Sequence, residues 1–108
     1  MSFQVADLSI QLIEELRPLV PRIKQRDRSL ADQIRRSASS IALNIGEAEL
    51  SDPGTRRARL CSAAGSANET KMALRAAVAW GILPDAHADA ARVLLRRILA
   101  ILWKLTRG

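Results

Sequence analysis

The sequence predicts an all-α fold: an antiparallel up-down-up-down bundle of four helices. Three observations predict it. The 108 residues include only five glycines and four prolines, while Ala, Leu, Arg and Glu, all good helix formers, are plentiful. Large apolar residues recur at spacings of three and four, the period of a helix with one buried face. The helix breakers gather at a few points, so long helices are joined by short connectors, and short connectors make antiparallel neighbours. A 48% hydrophobic content and a mean hydropathy of -0.01 suit one folded domain over residues 1–108 and not a disordered tail.

The first helix is expected over about residues 2–24, where Val5, Leu8, Leu12, Leu16, Leu19 or Val20, and Ile23 form a stripe. Pro18 and Pro21 should bend or interrupt its last turns, because each removes a backbone donor. "KQRDRS" is a polar connector. Ser29 with Asp32 resembles a capping box with a shortened acid at the head of the second helix, about residues 30–50. "SDPG" ends that helix and starts the third, about residues 53–80; Ser51 or Asp52 can cap it and Pro53 suits its first position. Gly81 is a good stop. Pro84 and Asp85 open the fourth, about residues 84–105. No internal repeat or low-complexity segment interrupts this order.

The second helix carries two parallel lines. Ile34, Ala38, Ile41, Ile45 and Ala48 form a coiled-coil-type seam toward the core. One residue earlier run Gln33, Ser37, Ser40, Asn44 and Glu47. A helix turns about 100° per residue, so this polar line lies at the edge of the core where another helix approaches. The third helix offers a matching line in Ser62, Ser66 and Glu69, with Gly65 beside it. Small residues there would let two backbones come close. Two readings stay open: a ligand or nucleic-acid site, or a hydrogen-bonded network that sets helix register or a subunit contact.

"QIRRSASSIALNIGEA", followed by "AAGSANET" and "GIL", resembles a bacterial four-helix-bundle family encoded in intervening sequences of large-subunit ribosomal RNA genes. That family is distantly related to the accessory variability proteins of diversity-generating retroelements. Gln33, Ile34, Arg35, Arg36, Ser40, Ile41, Asn44, Ile45, Glu47, Gly65, Ser66 and Glu69 match its usual pattern. Gly46 stands where Ala is usual and Ala48 where Gly is, and the chain continues as "ELSDPGTRR". The resemblance implies four-helix bundles assembled into rings, commonly homopentamers. It also implies, through the retroelement relatives, nucleic acid and a reverse transcriptase as possible partners. It implies no enzymatic activity.

The fourth helix has more apolar surface than one core needs. Ala91, Leu94, Ile98, Ile101 and Leu105 make one face; Leu95, Leu99 and Leu102 make a second, with Val93 and Trp103 further round. A surplus of this kind marks an association surface, unless the bent first helix covers it. Leu95, Leu99, Leu102 and Trp103 are the expected contacts of a closed homo-oligomer.

The formal net charge is +6, and fourteen of the seventeen basic residues are Arg. Arg binds phosphate in a bidentate fork, so a polyanionic partner, RNA or DNA, is expected. The candidate contacts are Arg22, Lys24, Arg26 and Arg28 around the first connector, Arg35 and Arg36 on the second helix, and Arg56, Arg57 and Arg59 at the head of the third. Arg92, Arg96 and Arg97 lie on the fourth helix, where Asp89 can pair with Arg92. There is no Tyr, and Phe3, Trp80 and Trp103 are scattered, so a stacking platform for single strands is absent. Contacts to phosphate, with weak sequence preference and steep salt dependence, are the expected mode.

Nothing in the sequence suggests catalysis, a metal or a cofactor. His87 is the only histidine and reads as a solvent-facing helix residue; a metal site needs at least three good ligands. Cys61 reads as a small buried hydrophobe. Glu47 and Glu69 lack the substrate cleft that a carboxylate pair would need. One cysteine excludes an internal disulfide framework. The start of the chain does not read as a signal peptide, and "VLLRRILAILW" is too short and too charged to span a bilayer, so a cytoplasmic protein is expected. Two functions follow: a basic ring that binds nucleic acid, or an adaptor oligomer that binds a protein.

Overall fold

The computed structural model describes residues 4–107. Ser2, where the first helix was expected to begin, and Phe3 lie outside them. Among the described residues there are five α-helices and no strand. They are α1 (Gln4–Leu16), α2 (Val20–Arg26), α3 (Arg28–Glu49), α4 (Pro53–Ala79) and α5 (Asp89–Arg107). The bundle is elongated, 42 × 21 × 19 Å.

Two helices replace the expected first one. α1 buries Val5, Leu8, Leu12 and Leu16. Pro18 has no N–H to continue the ladder, and a tight turn closes instead through a 2.9 Å bond from Leu19 N to Leu16 O. Pro21 then sits in the first turn of α2, where a missing N–H costs nothing. The buried side chains Leu19 and Ile23 keep α2 on the core.

Asp27 joins α2 to α3 alone. Its N–H caps α2 through Ile23 O at 2.7 Å, its carbonyl accepts from Ala31 N, and its carboxylate accepts from Leu30 N at 2.9 Å. The expected cap at Ser29 is therefore corrected: extended Asp27 brings its short carboxylate to the free N–H groups, and α3 starts two residues sooner. Asp52 caps α4 in the same way, accepting from Thr55 N at 3.0 Å and Thr55 Oγ1 at 2.9 Å. Gly81 adopts φ +74°, which a residue with a Cβ rarely does. That reversal lets Ile82 N reach Ala77 O and ends α4. Leu83 is buried behind it. A 3-10 turn, Asp85–Ala88, precedes α5, so the fourth helix begins later than expected.

The core runs the length of the bundle. Leu12, Ile23, Ile34, Ile41, Ile45, Leu74, Leu95, Ile98 and Leu102 are among its fully buried side chains. Each contributes about 1.5–3 kcal/mol by leaving water. The α3–α4 pair has the most extensive contact, and α1 packs chiefly on α3 and α5. Two expectations fail here. Leu95 and Leu102 lie inside the subunit at 1% and 0% exposure, because α1 and α4 flank α5 and cover its second apolar face. Cys61 is exposed, because the buried stripe of α4 is Leu60, Ala63, Ala67 and Leu74, and one residue beyond Leu60 turns outward.

Gly65 lies mid-helix in α4, and a Cβ there would meet no atom within 4 Å. Gly65→Ala is expected to stabilise the fold by about 1 kcal/mol, measured by urea unfolding. Asp52 has its carboxyl held below the ordinary value of 3.8 by the backbone N–H and then the hydroxyl of Thr55. A depressed folded value stabilises above the unfolded one and is lost as pH falls through the folded one. The thermal midpoint of Asp52→Ala should therefore fall short of the parent's at neutral pH and converge on it in acid below the usual Asp range.

Candidate nucleic-acid interface

The polar line of α3 meets α4 in consecutive rungs. Gln33 Nε2 donates to Glu69 Oε2 at 3.4 Å. Ser37 Oγ and Thr70 Oγ1 are 2.7 Å apart, and Ser66 Oγ donates to Ser40 Oγ at 2.8 Å. Asn44 Nδ2 donates to Ser40 O at 2.9 Å and Ser40 Oγ at 3.1 Å. Glu47 ends the line in an ion pair with Arg59 at 3.0 Å. As numbers rise along α3 they fall along α4, so the two helices are antiparallel.

Proton counting gives the central rungs a direction. Thr70 Oγ1 donates to Ser66 O at 2.9 Å, which uses its only hydrogen. Ser37 must then donate across to Thr70, and its 3.3 Å approach to Ile34 O is the weaker alternative. Both side chains are buried, at 4% and 0% exposure. Among the described residues no buried side-chain polar atom lacks a partner. Thr70 was missed in the sequence; its signal was its place one turn after Ser66, on the line that faces α3. Ser62, placed on that line, faces solvent. Gly65 has open space where a Cβ would go, so it does not make the close approach that small residues suggested.

The predicted cations divide into two groups. Arg22, Lys24, Arg26, Arg28, Arg35 and Arg36 are all exposed, along α2 and the first half of α3. None is paired with a described carboxylate, and Arg22 donates to His87 Nδ1 at 2.9 Å. That contact fastens α2 to the 3-10 turn. Arg35 lines a shallow furrow with Arg17, and Arg35 and Arg36 together line a second with Ser40, Asn44, Glu47 and Arg59.

The second group is committed inside the molecule. Arg56 donates to Ala48 O and Ser51 O, closing the end of α3. Arg57 Nε donates to Thr106 O at 2.8 Å, at the end of α5. Carbonyls at a helix C-terminus carry partial negative charge, which these cations offset. Arg92 is likewise clamped, by Asp85 at 2.6 Å and Asp89 at 2.9 Å; the carboxylates hold its guanidinium above the ordinary value, the Asp85 hydrogen bond first.

Of the expected subunit contacts, Leu99 is half-buried and Trp103 is 57% exposed, with the Arg107 guanidinium 3.8 Å above its ring. No group of three His, Cys, Asp or Glu that could hold a metal occurs among the described residues. No helix among them is long and apolar enough to cross a membrane.

The family model described as 23S rRNA-intervening sequence protein matches residues 1–104. A crystal structure from Bacteroides thetaiotaomicron, of a protein of unknown function from the S23 ribosomal protein family, superposes with a TM-score of 0.90. It is 23% identical, over 96% of this chain and 99% of that one, a likeness that speaks for the fold. The search of curated proteins returns no match.

The buried hydroxyl pair gives an asymmetric expectation. Thr70→Val alone leaves Ser37 in the core with only its weaker 3.3 Å bond to Ile34 O and should cost about 1 kcal/mol, whereas Ser37→Ala with Thr70→Val removes both partners and should recover most of that. Urea unfolding of the two variants and the parent measures it.

Proposed function

The chain belongs to the 23S rRNA-intervening sequence protein family, and from that premise we propose that it is a non-enzymatic, ring-forming accessory protein that binds RNA or DNA through phosphates. The observation that carries this reading is the strip Arg22, Lys24, Arg26, Arg28, Arg35 and Arg36, exposed and without a described carboxylate partner. Like charges gathered on α2 and the first half of α3 repel and destabilise a small fold. Unlike Arg56 and Arg57, most of these cations make no hydrogen bond to a described residue that would offset the repulsion. A polyanion would offset it.

Assembly strengthens the reading. An up-down-up-down four-helix subunit repeated in a ring, five copies by the resemblance, multiplies each strip, and linked sites bind far more tightly than one. A cytoplasmic site of action, where ribosomal RNA lies, belongs to the same proposal.

A second reading is an adaptor oligomer with a protein partner, such as a reverse transcriptase. Leu43, 67% exposed on α3 in one furrow with Arg35, Arg36 and Arg59, favours it. Pull-down with nuclease treatment separates the two, because a protein partner survives the nuclease.

Binding to duplex and single-stranded RNA across a salt series tests the first. Affinity should fall steeply and linearly on logarithmic axes, with little preference for sequence. Arg35→Ala with Arg36→Ala should lower the slope by about two, one per lost phosphate contact. No binding at low salt, or a flat salt response, overturns the proposal.

A further inference from the structure

We infer that the groove between α4 and α5 receives the outer face of α1 from a second copy of this chain. This rests on the assembly reading above and says where the copies meet.

The groove has three zones. At one end Lys71 and Arg75 of α4 face Arg92 and Arg96 of α5; Arg92 is occupied by its two aspartates, and the other three pair with no described carboxylate. The middle is apolar, formed by Ala64, Leu99 and Trp103. Lys104 and Arg107 follow at the far end, exposed. The order is cationic, apolar, cationic.

The outer face of α1 has the opposite pattern. α1 carries Asp7, Glu14 and Glu15 and no basic residue, and none of these acids makes an ion pair with a described residue. Asp7, Ile10 and Glu14 are spaced three and four, so they share one stripe. Ile10 is 52% exposed. The order is acidic, apolar, acidic.

The zones also match in height along the bundle. Ile13 and Leu16 of α1 share a furrow with Arg35 and Ala38 of α3. Ser37 and Ser40 of α3 bond to Thr70 and Ser66 of α4, and Lys71 lies across the groove from Arg96. Glu14 is therefore level with Lys71 and Arg96. About 6 Å further on, four residues along α1, Ile10 is level with Leu99 and Ala100 of the apolar zone. Asp7, seven residues from Glu14, comes level with Trp103 and Lys104, seven and eight residues from Arg96, where the Arg107 guanidinium lies over the Trp103 ring. Rotation about an axis parallel to the bundle preserves height, so a neighbour's α1 meets each zone without sliding. Since α1 packs on α3 and α5 and the groove lies between α4 and α5, the two patches differ. A contact between different patches is heterologous, and heterologous contacts close into a ring when the rotation between neighbours divides a full turn.

Native mass spectrometry and light scattering on the full chain test this. The parent is expected to be oligomeric. Asp7→Lys with Glu14→Lys, and separately Arg96→Glu with Lys104→Glu, should each raise the concentration needed for assembly about tenfold or more, as like charges meet across the contact. All four residues are exposed, and circular dichroism checks that each variant folds. The fourfold variant restores opposite charges and should reassemble. Trp103→Ala, neutral in charge, should weaken assembly as well. A parent oligomer that ignores both reversals overturns this contact and leaves assembly standing. A fourfold variant that folds and stays dissociated also overturns it. A monomeric parent overturns the assembly reading itself.

Discussion

The antiparallel pairing of α3 with α4 is the constraint on which the rest of the molecule depends. Its apolar half is an isoleucine seam, Ile34, Ile41 and Ile45, set against Leu60, Ala67 and Leu74. Apolar contact alone tolerates sliding, because it is not directional. The hydroxyl rungs do not tolerate it. Moving α4 along α3 would break the 2.7 Å bond from Ser37 to Thr70 and leave the buried Ser37 only its weaker 3.3 Å approach to Ile34 O. The polar line thus sets register where the apolar line supplies adhesion. Arg35, Arg36, Arg59 and the α4 side of the α4–α5 groove all take their heights from that register.

Charge is distributed by use. At the end of the bundle where α3 and α5 finish, Arg56 and Arg57 meet helix carbonyls, and Arg59 meets Glu47. These side chains hold helix ends together. On α2 and the first half of α3 comparable residues face water. A basic composition therefore overstates the cations available to a partner, and the difference lies in whether a helix C-terminus or a carboxylate is within reach. The acids are uneven too: α1 has only acids, while α5 has most of its bases on exposed faces. Such a dipolar surface favours self-association as well as binding of a polyanion.

Much of the fold was legible in the sequence because helices are local. The stripe on α1, the proline break, Asp52 with Pro53 and the stop at Gly81 each depend on a few adjacent residues. The seam from Gln33 to Glu47 was legible for the same reason. Ser29 misled because several polar residues near a helix start compete for one cap, and backbone geometry at Asp27 settles the competition. Leu95 and Leu102 misled because an apolar face says only that something covers it. A neighbouring helix of the same chain and a second subunit leave the same mark in sequence.

Periodicity and capping chemistry by themselves determined that the chain is helical, where its long helices break and which line of α3 is polar. Those properties are set by hydrogen bonds and side chains within a turn or two. Only the tertiary arrangement decided that Thr70 completes the hydroxyl chain, that Cys61 faces out and that Arg57 is held by Thr106, 49 residues away. Partners so far apart in sequence meet only when the packing angles and heights of whole helices are set, and no local pattern encodes those.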